Sequence, residues 1–234
     1  MLSEARQEGQ EIRMFDAIKR MIGSTSAGDA TDEGQVLSAW AKAEGHTFKR
    51  VKAKTGTGFV VEAPEGWRVE WGASQRSYIA GKELRFRCDT GVASDVQLIM
   101  LSRALSLVLE TDVFSRFTNA MQTQIDNTLP DEMRWLAMHP RVPLNDHAAL
   151  ARRLVVFSNA EAVARRWLDD SVLLPLEEAA GNWWTDTLVM VLTINRGMLT
   201  LRMSGDKLQP LQLKLVGELY RVLAMRLKAV ALGD

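Results

Sequence analysis

The chain has 234 residues, enough for one large domain or two small ones. An apolar share of 47% with 25% charged residues is the balance of a globular protein and excludes wholesale disorder. The 29 basic and 29 acidic residues cancel, which argues against a protein built mainly to hold nucleic acid.

A single cysteine, Cys88, cannot close an internal disulfide, and with three histidines at distant positions it cannot assemble a zinc site. No apolar run reaches the roughly 18–20 residues needed to span a bilayer. The N-terminus carries Glu4, Arg6, Glu8 and Glu11 in place of the apolar stretch of a signal peptide. The expectation is a cytoplasmic protein with no metal and no cofactor.

In chain order, residues 11–22 put Ile12, Phe15, Ile18 and Ile22 on one helical face, and the Gly/Ser/Thr-rich stretch 23–34 reads as a flexible linker. Residues 1–34 therefore read as a tethered amphipathic arm. It suits docking on its own core or a partner subunit, and, with few cations, more weakly a membrane surface. Residues 35–44 read as a short helix, with Asp32 and Gln35 at capping-box spacing and Gly45 as its stop.

Strands follow. Phe59, Val61 and Ala63 alternate with polar neighbours, as do Trp67, Val69 and Trp71, and then Leu84, Phe86 and Cys88. Asp95 is placed to cap a helix bearing Leu98, Leu101, Leu105 and Val108, and no proline or glycine interrupts residues 92–129. Residues 130–139 read either as a helix started by Pro130 or as a strand.

Residues 152–157 read as a strand and 160–179 as helical, with a break near Asp170–Ser171 or Pro175. Leu188–Ile194 and Met198–Met203 flank a turn at Asn195-Arg196-Gly197. Leu188–Ile194 is apolar on both faces, as a central strand would be. From Pro210 to about Leu232 runs a helix of about 34 Å, apolar over most of its girth, either sandwiched in the core or shared with a partner.

Residues 84–109 lie without gaps on 199–224, matching Leu84/Leu199, Arg87/Arg202, Gln97/Gln212 and Leu98/Leu213. The expected class is α+β, with antiparallel sheet and long packing helices. Two similar ββα halves, 35–128 and 129–234, follow the arm. The stretch RRLVVFSNAEAVARRWLDDSVLLPLEEAA and the later Gly-Met-Leu-Thr-Leu resemble an uncharacterised bacterial domain family over residues 150–203. That resemblance implies the same order of extended segment, Ala-Arg helix and strand pair, and no chemistry.

For catalysis, the candidates are His139, Asp146 and His147, since a carboxylate beside an imidazole can orient it for proton transfer. No nucleophile, phosphate-loop or dinucleotide motif accompanies them, and adjacent residues need not face one another. Cys88 reads as a packed thiol. The segment FKRVKAK, 48–54, is a possible nucleic-acid strand, though lysines more often guard a solvated edge. Trp183 and Trp184, adjacent at an expected strand start, would face opposite ways and leave one for a partner. Arg76 and Tyr78 lie on a long loop suited to recognition.

The leading expectation is a non-enzymatic interaction or assembly protein, self-associating or bound to another chain. Its rival is a small-molecule binder or enzyme with a cleft between the halves.

Overall fold

Alternation along the strands sorts side chains onto two faces, and that sorting sets the architecture. The computed structural model describes residues 30–53, 56–119, 129–144 and 146–233. In order these form α1 (Ala30–Ala43), β1 (Thr47–Ala53), β2 (Gly56–Glu62), β3 (Trp67–Ala73), β4 (Lys82–Asp89), β5 (Leu98–Ser102), α2 (Arg103–Asn119), α3 (Asp131–Met138) and α4 (Ala148–Arg153). There follow β6 (Leu154–Ser158), α5 (Glu161–Trp167), α6 (Asp170–Asn182), β7 (Met190–Asn195), β8 (Met198–Ser204) and α7 (Pro210–Leu232). The fold is α+β. One antiparallel sheet runs β1-β2-β3-β4-β8-β7-β5-β6.

On the inner face Trp67, Val69 and Trp71 of β3, Leu84, Phe86 and Cys88 of β4, and Leu199, Leu201 and Met203 of β8 join one core. Helices α1, α4, α5, α6 and α7 close over them, led by Trp40, Leu150, Trp167, Leu176 and Tyr220. The outer face divides. Over β5, β6 and β7 it is apolar, and α2 and α3 cover Ile99, Leu101, Val155, Phe157 and Val191. Over β3, β4 and β8 it carries Arg68, Glu70, Glu83, Arg85, Arg87 and Arg202. Strands β5, β6 and most of β7 are thus buried on both sides, which explains their unbroken apolar runs.

The structure revises several expected boundaries. α1 begins at Ala30, so residues 30–34 belong to a helix, Asp32 and Gln35 lie inside it, and the rest of the expected arm and linker lies outside the described residues. Leu98 and Leu101 are in β5 and not in a helix, because a buried five-residue run with both faces covered needs no helical period. Residues 131–138 are helical. The break in the 160–179 region falls at Leu168–Asp169, where Asp169 caps α6, and Pro175 is accommodated inside that helix. Between β7 and β8, Arg196 and Gly197 both take positive φ, 51° and 76°, making a two-residue turn of the primed type.

The matched stretches meet in space. Phe86 of β4 pairs with Leu201 of β8, and Cys88 with Leu199, so the β3–β4 and β7–β8 hairpins meet about a local two-fold. The likeness stops at Leu98: residues 98–102 form β5, whereas 213–217 lie in α7. Nor do residues before and after 129 make separate sheets, since β5 sits between β6 and β7.

Helix α7 is sandwiched against the sheet through Leu213, Val216, Tyr220, Leu223 and Leu227, and it leaves Met225 and Leu232 outside. Among the described residues no helix is long and apolar enough to cross a membrane.

Candidate functional site

The expected catalytic group does not assemble. His139, at the end of α3, stacks on Trp135 and hydrogen-bonds through Nε2 to Gln97 Oε1 at 2.9 Å. Burial holds its pKa below the usual histidine value, outweighing a hydrogen bond with the Met138 backbone that acts in the opposite direction. Asp146 is exposed, while His147 sits 3.4 Å from both Asp170 and Glu177. It ties the start of α4 to α6. The segment around them is no free loop either: Val142 and Leu144 are buried, Arg141 bridges to Phe157, and Val142 N–H donates to the Val156 carbonyl. That segment shields the β6 edge of the sheet.

Trp183 and Trp184 follow the last turn of α6 instead of opening a strand, and both are buried, at 9% and 1% exposure. Neither is offered to a partner. Cys88 is a free thiol in the main core.

Arg76 and Tyr78, on the β3–β4 loop, both bind Glu132 of α3, a carboxylate only 4% exposed. Burial first, and the Glu132 charge second, raise the Tyr78 phenol well above its ordinary value. Burial, the largest single influence, tends to lower Arg76, but its hydrogen bond to Glu132 and the Glu132 charge act together to raise it. Beside them on the outer face Arg85 lies between Glu70 at 3.2 Å and Glu83 at 3.1 Å, while Arg202 reaches Glu83 at 2.8 Å. The Glu132 bonds fasten the loop to α3, and the neighbouring ion pairs tie β3, β4 and β8 together; among the described residues neither group presents a nucleophile beside a base. The alternation of Leu84, Phe86 and Cys88 with polar neighbours pointed to a polar outer face but could not show that Glu83, at 0% exposure, is its buried centre.

What remains open is the other edge. β1 pairs with β2 along its whole length, and among the described residues no strand takes its outer side. Beside it, between α1 and the inner face of β1–β3, lies a groove of about 790 Å³. Its floor is a run of stacked rings, Phe48 on Phe59 at 5.5 Å and Phe59 on Trp71 at 5.0 Å. Its rim carries Lys42, Arg50 and Lys82, the last placed 5.3 Å from the centre of the Trp71 ring. Gly34 lets α1 approach this floor: a Cβ there would lie 2.6 Å from the tip of Phe59. Phe48 and Arg50 of the basic segment, two residues apart on β1, both line this groove. Among the described residues no cluster of His, Cys, Asp and Glu is suited to a metal ion.

No family model matches this chain, and no curated protein is similar to it in sequence. Among solved structures it is similar to the crystal structure of the mycobacterial trehalose monomycolate transport factor A, TtfA. Identity is 13% and the TM-score 0.47, over 83% of this chain and 94% of that one. Overlap at that level is too loose to transfer a role.

Proposed function

We propose that this protein is a non-enzymatic binding module that takes up an extended, acidic and apolar segment of another protein as an added strand along β1. The observation that carries this reading is the seven-residue edge of β1 beside the ring-floored groove. A strand laid on an open edge gains main-chain hydrogen bonds, and its alternate side chains drop to one face, here into the groove. Lys52 on β1, with Lys42 and Lys82 at the groove rim, selects for acidic residues. The same charges disfavour a second copy of β1 as the partner, because cations would meet cations across the new pair. The opposite edge, β6, is already covered by residues 140–142.

The test uses the full chain and a synthetic peptide alternating glutamate with valine, followed by fluorescence anisotropy. Saturable binding is expected. It should weaken about tenfold in Lys42→Glu and be lost when alternate peptide nitrogens are methylated. Binding indifferent to methylation, or no binding at low salt, removes the proposal. Equal affinity for single-stranded nucleic acid would replace it with recognition of polyanions by charge alone.

A further inference from the structure

A second charged surface lies at the far edge of the sheet, on its outer side. A groove of about 460 Å³ is bounded by the first turns of α2, the end of α4 and Val155 of β6. Four arginines converge on it: Arg103, Arg141, Arg152 and Arg153. They come from three separate stretches of chain, so the cluster is not a run of neighbours in sequence.

Three of the four are held in place. Arg103 opens α2 and donates to the Ala151 carbonyl from Nε and Nη2, at 3.3 and 2.7 Å. Arg141 donates through Nη2 to both oxygens of Glu110, at 3.2 and 3.1 Å, and lies 5.2 Å from the centre of the Phe157 ring. Arg153 donates to the Trp184 carbonyl at 2.9 Å. Its Nε, buried and without a hydrogen-bond partner among the described residues, lies 3.6 Å from Asp186. Arg152 is exposed and has no ion pair among the described residues.

Charge decides what such a groove would hold. Glu110 and Asp186 are the carboxylates of the lining, so two of the four positive charges are uncompensated there. A planar guanidinium offers paired N–H donors matched to oxygens on one centre, and several held rigidly lose little entropy when they close on an anion. A phosphate ester carries between one and two negative charges at neutral pH, which fits the surplus. On the wall of the groove Leu107 is 69% exposed, and next to it on α2 Val108 is 64% exposed, so apolar surface adjoins the guanidiniums.

We infer that this groove is a binding site for a phosphoryl group, supplied either by a free phosphate compound or by the headgroup of a phospholipid. Arg152 and Arg103 grip the phosphoryl oxygens, Arg141 and Arg153 set the surrounding potential, and Leu107 takes the apolar part of the carrier. The site is independent of β1 and stands or falls separately from it.

Calorimetric titration of the full chain with pyrophosphate tests the free source. Flotation with phosphatidylcholine vesicles, with and without phosphatidic acid, tests the lipid source. Saturable binding to pyrophosphate, or retention by the phosphatidic acid vesicles alone, is expected. It should weaken about tenfold in Arg152→Gln, an exposed position whose loss leaves the unfolding midpoint unchanged. Arg68→Gln, on the other half of the outer face, should leave binding as it was. Pyrophosphate displacing the protein from vesicles assigns one site to both sources. No saturable binding to either probe at low salt overturns the inference. So does an Arg152→Gln protein that binds like the parent, or an equal loss in Arg68→Gln, which would mean diffuse attraction.

Discussion

Arg202 of β8 reaches diagonally to Glu83 of β4 on the outer face, Nη1 to Oε1 at 2.8 Å, with the carboxylate wholly sealed from solvent. Arg85 adds a second contact to the same oxygen at 3.1 Å. Removing Arg202 leaves the buried Glu83 carboxylate with the longer Arg85 contact and no hydrogen bond from Arg202, so much of the desolvation already incurred is no longer offset. Arg202→Leu should therefore destabilise the fold by about 3 kcal/mol in urea unfolding. Arg68→Leu, at the half-exposed end of the same layer, should cost about 0.5 kcal/mol or less. Similar losses at both positions would show that burial does not grade this layer.

The two tyrosines of the chain, Tyr78 and Tyr220, both resist ionisation in the folded state, chiefly through burial. Tyr78 has the Glu132 charge in addition, and Tyr220 donates its hydroxyl to the Leu199 carbonyl at 2.9 Å. A folded pKa above the unfolded one contributes stability that is complete below about pH 10 and is lost as pH rises beyond it. Folded protein should show almost no tyrosinate absorbance at a pH where the unfolded chain is fully ionised, and the urea midpoint should fall over that range. Normal titration of either phenol would contradict this arrangement.

His139 moves the other way. Its folded pKa is depressed by burial, so protonation favours the unfolded chain. Stability attributable to this residue is present above the unfolded value of about 6.5 and declines as pH falls toward the lower folded value. Imidazole proton shifts recorded across that range should place the His139 midpoint below that of a free histidine. His139→Gln should flatten the acid limb of the stability profile.

Gly205 follows β8, its amide donating to the Lys82 carbonyl at 2.8 Å and its carbonyl accepting from Trp71 Nε1 at 2.7 Å. A Cβ there would lie 2.8 Å from the Glu83 carbonyl carbon and 3.0 Å from the Leu84 nitrogen, both main-chain atoms that cannot step aside. Gly205→Ala should cost about 1–3 kcal/mol. Gly72→Ala, where a Cβ meets nothing within 4 Å, serves as the mild comparison. Thermal unfolding of both variants separates the two cases.

The strands that alternate were legible because only one of their faces is apolar: Trp67, Val69 and Trp71 read inward, with Arg68 and Glu70 outward, and so they lie. Leu98–Ser102 was not, because a strand covered on both faces loses its period and continues straight into α2. The tryptophans misled for a related reason. Alternation between Trp183 and Trp184 holds on a strand, but at a helix end both rings can enter the core.

Composition and local periodicity determined the class of the fold, the β3, β4 and β8 strands, the long final helix and the cationic side of β1. These follow from short-range sterics and from which residues leave water. Tertiary structure alone decided that β5 enters between β6 and β7, that His147 meets Asp170 and Glu177, and that Arg103, Arg141, Arg152 and Arg153 share one groove. Each joins residues far apart in the chain, and distance along a chain says nothing of distance in space until the sheet order is set.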